Sequence, residues 1–167
     1  MAVALMFLGR HADSIAEADL AVSLDPNSAP AYYAQGATRA WGGRPLDAID
    51  PLRTAMRLSP LDPHLLGFMH ALARAYYWAG DYEKAIMTAR QLRHSAPDLR
   101  QAYTTLMAAL GQMGRLDEAH AVLVDALERF GDSFQRWMLL PLTEYQEFHP
   151  EVREHLIDGF RKAGLIA

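Results

Sequence analysis

The 167-residue chain contains no cysteine. That absence removes disulfides, thiolate metal ligands and cysteine nucleophiles together and fits a reducing compartment, so the expected location is cytoplasmic. The chain also lacks any run of about 18 apolar residues that could span a bilayer, and no membrane partner is expected. Its apolar opening, MAVALMFLG, has no basic flank and runs straight into a glycine, so it reads as the stub of a helix and not as a signal peptide. Excess positive charge is missing too. With 16 Lys and Arg against 20 Asp and Glu, a net charge of −4 and no block of either sign, nucleic acid is not an expected partner.

Signals for chemistry are equally scarce. The sequence has no nucleophile elbow, and its glycines do not follow strands in the manner of a phosphate loop, so no catalytic residue is assigned. Seven histidines are present, but Glu151 and His155 offer only two ligands on one helical face, fewer than a zinc site needs. The expectation is therefore no metal, no cofactor and no enzymatic activity in this chain, with His149, Glu151 and His155 as polar surface residues.

What the chain does have is helix-forming composition and a period. Half of its residues are hydrophobic (51%), rich in Ala, Leu and Met, which favours an all-α fold. Gly9, Gly43, Gly80 and Gly114 recur at spacings of 34, 37 and 34 residues, each followed five residues later by a small residue: Ser14, Ala48, Ala85 and Ala119. Pro26, Pro60 and Pro97 each lie 17 residues after one of the first three glycines. The segments 9–26, 42–60, 80–97 and 114–130 read as second helices of four repeated pairs, preceded by first helices near 29–41, 64–79 and 99–113.

Local chemistry supports these boundaries. Asp81 can cap a helix, Pro30 and Pro63 stand where helices begin, and Gly43, Gly80 and Gly114 permit the turn within each pair. Ala48, Ala85 and Ala119 are expected at close helix crossings. Pro51 falls inside a predicted helix over 45–58, where it removes a donor and frees the carbonyl of Asp47. The longer second step predicts an extension of the first helix near Pro63–Leu65. Residues 131–142 predict a short helix ended by Pro141, and Pro150 starts a final amphipathic helix with Val152, Leu156, Ile157 and Phe160 on one face.

A 34-residue helix-pair period with this glycine and alanine register resembles the tetratricopeptide repeat, whose units stack because none buries its apolar face alone. The resemblance implies a right-handed α-solenoid: an array over 1–130, made of a partial repeat 1–28 and repeats 29–62, 66–99 and 100–130, followed by a helical cap over 131–167. It implies that the first helices line a concave groove, placing Tyr33, Ala37 and Trp41, His70, Arg74 and Tyr77, and Thr104 and Ala108 there as peptide-binding positions. His70, Arg74 and Tyr77 follow i, i+4, i+7 spacing and would offer an extended peptide a cation, a hydrogen-bond donor and an aromatic surface. The same stripe also reads as a partly packed face in which Tyr77 and Trp78 fill space between repeats. The Lys and Asn residues of the carboxylate clamp that binds chaperone tails are missing, since Tyr33 with Ala37 and Thr104 with Ala108 stand at the matching positions.

Four stretches are more specific: RLSPLDPHL at 57–65, ALARAYYWAGDYEKAI at 71–86, AYTTLMAALGQMGRLDEA at 102–119 and DGFRKAGL at 158–165. They resemble the C-terminal tetratricopeptide region of bacterial class III adenylate or guanylate cyclases and of some winged-helix regulators. The resemblance implies a regulatory or scaffolding tail of a larger signalling protein that binds a peptide, a protein partner or another domain of its own parent. Homodimerisation through the cap or the N-terminal half repeat stands as the alternative.

Overall fold

The computed structural model describes residues 1–143 and 149–166, with the side chains of 139–143 excepted. Among the described residues all regular structure is helical: α1 (Ala2–Phe7), α2 (His11–Leu24), α3 (Ala29–Trp41), α4 (Pro45–Leu58), α5 (Leu65–Trp78), α6 (Tyr82–Ser95), α7 (Arg100–Gln112), α8 (Leu116–Phe130), α9 (Ser133–Thr143) and α10 (Pro150–Lys162). The first eight form four pairs closed by one kind of turn. Gly9, Gly43, Gly80 and Gly114 take φ of 69°, 82°, 81° and 67°, the left-handed region that glycine enters without steric cost. The next residue then donates its amide back to a carbonyl five positions earlier: Arg10 to Leu5, Arg44 to Arg39, Asp81 to Tyr76 and Arg115 to Leu110, at 2.8–3.0 Å. Asp81 also accepts the Lys84 amide at 3.3 Å, capping α6.

These pairs stack in chain order, each second helix packing on the first helix of the next pair, and the first helices α1, α3, α5 and α7 lie side by side. Ser14, Ala48, Ala85 and Ala119 are fully buried, and a Cβ on Gly36 would press into Leu52, so the paired helices approach as closely as small residues permit. One core runs through the array, from Met6 through Leu52, Tyr76 and Leu106 to Phe134. Pro51 sits inside α4. The Asp47 carbonyl that it frees accepts the Arg39 guanidinium at 3.3 Å, while the same guanidinium holds Asp19 of α2 at 2.8 Å. The defect in α4 is thereby tied to two neighbouring helices.

Three expectations need correction. Only one of the three extra residues lengthens α5; the other two widen the 59–64 loop, where Asp62 accepts the His64 amide at 2.8 Å and holds Pro63 outside the helix. The helix α9 continues past Pro141 to Thr143 and does not end at the proline. The third concerns the cap. Residues 133–138 of α9 do cover the end of the array, Phe134 stacking on Phe130 at 5.5 Å and meeting Tyr103 at 6.1 Å edge-on. But α10 does not lie at that end; it turns back across the C-terminal ends of α3, α5 and α7, on the concave side. Val152, Leu156 and Phe160 are buried there as one stripe, while Ile157 is only half-buried.

Because Ala85 has no exposed surface, Ala85→Leu should destabilise the chain by about 1–3 kcal/mol through overpacking, read as a lower denaturant midpoint. A variant as stable as the parent would show that the α5–α6 crossing has room to spare.

Candidate functional site

The constant turn sets the register of the first helices, so residues at matching distances before each glycine form rows across the concave face. One row is Tyr33, His70 and Thr104; the next is Val3, Ala37, Arg74 and Ala108; two more are Met6, Ala40, Tyr77 and Gly111, and Phe7, Trp41, Trp78 and Gln112. Six of the eight positions named from the sequence, Tyr33, Ala37, Trp41, His70, Arg74 and Thr104, line a single cavity of about 320 Å³. Its remaining walls are Gln101 of α7 and apolar residues of three helices: Val3, Met6 and Phe7 from α1, Trp137 and Met138 from α9, and Leu156 and Phe160 from α10.

Arg74 is the charged centre of this cavity. The residue is 5% exposed, and its guanidinium carbon lies 5.4 Å from the Trp41 ring and 5.5 Å from the Trp78 ring. The two indoles meet edge to face at 5.1 Å, so the cation sits against their electron-rich surfaces. One turn earlier, His70 packs edge-on against Trp41 at 5.9 Å, with its Nε2 buried and without a hydrogen-bond partner. Burial, and secondarily the positive charge of Arg74, push the His70 imidazole well below its usual basicity. His70 is accordingly neutral at physiological pH, and Arg74 carries the positive charge. Tyr33 stacks on Phe68 at 4.9 Å beside the cavity mouth, and Thr104 turns its hydroxyl to the Gln101 carbonyl at 3.1 Å.

Tyr77 and Ala108 are not on the cavity wall; α10 covers them. The Tyr77 hydroxyl donates to the His155 carbonyl at 2.5 Å, and Trp78 Nε1 donates to the Val152 carbonyl at 2.9 Å. The His149 amide donates to the Trp41 carbonyl at 2.9 Å, and Gln112 Nε2 to Asp158 Oδ2 at 3.0 Å. The backbones nearly touch at Gly159, where a Cβ would lie 2.9 Å from the Ala108 carbonyl oxygen, and at Gly111, where it would lie 2.7 Å from the Ala163 amide. His149 and His155 therefore belong to an internal interface and not to an open surface, and the described residues contain no cluster of three metal-ligating side chains. The residues that the positions named from the sequence left out are Gly111 and Gly159. A glycine inside a helix costs about 1 kcal/mol relative to alanine, so each was a visible sign of close backbone approach.

Three imidazoles are less basic in this fold than free histidine, whose ordinary value is 6.5: His70 as above, His155 chiefly through burial, and His11 through burial and then repulsion from His149. The folded chain binds fewer protons than the unfolded one, so their contribution to stability is whole above about pH 6.5 and declines as pH falls below it. Thermal melts across this range should show Tm falling below pH 6.5 and a smaller fall in His155→Gln. A melting temperature independent of pH between neutral and mildly acid conditions would contradict the burial of these rings.

Residues 42–110 match the family described as tetratricopeptide repeat, and residues 101–129 match the PPR repeat. No curated protein matches the sequence. Among solved structures, the chain is similar to YrrB, described as a TPR protein with an unusual peptide-binding site. The two share 17% identity over 96% of this chain and 82% of that one, at a TM-score of 0.61. That likeness concerns the fold. Residues 42–110 thus match the tetratricopeptide repeat, and the described residues form an all-α solenoid of stacked helix pairs.

Proposed function

We propose that the chain is a protein–protein interaction module whose cavity receives a short segment of a partner, an acidic side chain or terminal carboxylate next to an apolar side chain. The observation that carries this reading is the buried Arg74 on the wall of a cavity whose other walls are mainly apolar and aromatic, with His70, Gln101 and Thr104 as polar members. In such a low-dielectric setting a cation attracts an anion far more strongly than it would in water, and the apolar walls supply burial for the neighbouring side chain. His70 adds a neutral imidazole one turn away, and Tyr33 an aromatic rim. Because α10 closes one flank, a long extended peptide has no path along the whole groove, which favours a chain end or a single protruding side chain. Peptide binding by YrrB supports the class of ligand.

The likeness of 57–65, 71–86, 102–119 and 158–165 to cyclase-linked regions extends the reading: the segment received belongs to another domain of a larger bacterial signalling protein, and the module acts in the cytoplasm. A second reading, homodimerisation, is favoured by one observation. The α1–α2 end of the array leaves Leu8 66% and Leu24 77% exposed, with Phe7 and Leu20 beside them. Light scattering distinguishes an assembly through that face from a monomer.

Selection of random peptides displayed on phage against the full chain should enrich sequences with Asp, Glu or a free C-terminus next to Leu, Phe or Met. Arg74→Ala should weaken the selected peptides by about 1–3 kcal/mol, the range of a charge-assisted hydrogen bond, in a chain whose melting temperature is followed in parallel. Peptides that bind the Ala variant at full strength would remove Arg74 from the site.

A further inference from the structure

The half of the concave face outside the cavity is filled by α10, and the manner of the fit is informative. Tyr77 and Trp78 donate to main-chain carbonyls of α10, those of His155 and Val152, and not to its side chains. At Gly159 and Gly111 the two backbones pack with no side chain between them. These contacts read a helical main chain with a bare crossing point, which any helix of suitable pattern can supply. The side-chain requirements are few. Val152, Leu156, Phe160 and Ala163 are buried with Gly159 as one stripe, Asp158 accepts the Gln112 amide, Lys162 donates to the Gln112 side-chain carbonyl oxygen at 2.9 Å and the His155 ring meets the Tyr82 hydroxyl at 2.9 Å, while Glu151, Glu154 and Arg161 are exposed.

An isolated helix of this length is marginal in water, so α10 is helical because it is docked. It packs chiefly on α7, with lesser contacts to α5 and α9, whereas α3 and α5, and α5 and α7, also contact one another directly. We propose that this half of the concave face is a helix-binding groove with α10 as its self-supplied, autoinhibitory occupant. The partner that it fits is a protein presenting an amphipathic helix with glycine at the crossing, apolar residues three before and one after it, and a carboxylate immediately before it. The inference goes beyond the cavity reading.

A tethered helix competes at an effective concentration of order millimolar, so a free helix cannot displace α10 from the intact chain under ordinary conditions. The test therefore weakens the tethered copy. A fluorescent synthetic peptide spanning residues 149–166 is titrated into the full chain and into its Gly159→Leu variant, in which the added side chain meets the Tyr77 hydroxyl and the Ala108 carbonyl. Binding to the variant should be at least about 100-fold tighter than to the parent chain. Adding Gly111→Leu on the groove side should abolish it, and a peptide carrying Leu at position 159 should not bind. A helical, cooperatively melting Gly159→Leu chain that ignores the peptide overturns the proposal, as does equal binding to the Gly111→Leu double variant. A doubling of mass in light scattering of the parent chain, with α10 exchanged between two copies, would assign the groove to a second copy and overturn the partner assignment. Should Gly159→Leu fail to fold, hydrogen exchange on the parent chain decides: α10 amides should exchange at least about tenfold faster than those of α5 and α7, through local opening. Equal protection of all three helices would overturn the proposal.

Discussion

Everything on the concave face depends on one backbone constraint, the left-handed glycine that closes each helix pair. At Gly9, Gly43, Gly80 and Gly114 the chain must adopt a positive φ so that the following amide can return to a carbonyl five residues back. That bond ends the first helix and fixes the angle at which the second departs. Because the same turn occurs four times, first helices emerge in one register, and residues far apart in sequence align in rows. Tyr33, His70 and Thr104 meet around one cavity for this reason and not through any local motif. The close crossings that follow, with Ala48, Ala85 and Ala119 buried against neighbouring ridges, keep the rows near enough for side chains from three repeats to share one space.

The cavity's electrostatics follow from the same alignment. Burying a guanidinium costs several kcal/mol before its partners are counted. Part of that cost is offset where Trp41 and Trp78, two residues of one row, bring their ring faces to Arg74 of the adjacent row, each such contact contributing about 0.5–2 kcal/mol. Burial first, and the cation second, keep the neighbouring His70 neutral: one helical turn away, it would have to charge in a desolvated site beside Arg74 to become an imidazolium. The result is a guanidinium set against an aromatic wall, with charge and apolar surface side by side.

How much of this was legible in the sequence depends on whether a feature is periodic. The turn glycines, the buried alanines and the alignment of Tyr33, Trp41, His70, Arg74 and Thr104 all follow from the repeat, so a register read from Gly43, Gly80 and Gly114 carries them. Pro51 was legible as a defect, but the residue that takes the freed Asp47 carbonyl was not, because Arg39 reaches it from another helix. The destination of α10 was the largest gap. Its apolar stripe of Val152, Leu156 and Phe160 is the same whether it covers the last repeat or lies in the groove, since periodicity reports that a face is buried and not what buries it. The discriminating signal lay elsewhere, in Gly111. The same register position holds Ala40 and Tyr77 in the preceding repeats, and a bare position in α7 opposite a bare position in α10 marks where two helices cross at backbone distance.

The groove and the cavity are not independent volumes. Leu156 and Phe160 belong to the stripe that docks α10 and also form a wall of the cavity beside Arg74. Any ligand that contacts those two side chains gains that contact only while α10 is docked. By linkage it must favour the docked state by the same factor that docking favours the ligand. A helix that takes the place of α10 without matching residues there removes a wall and weakens the cavity for its ligand. The geometry thus couples the two halves of the concave face: a segment that touches Leu156 and Phe160 beside Arg74 favours docked α10, and a competing helix keeps the cavity closed only where it brings apolar residues to those two positions.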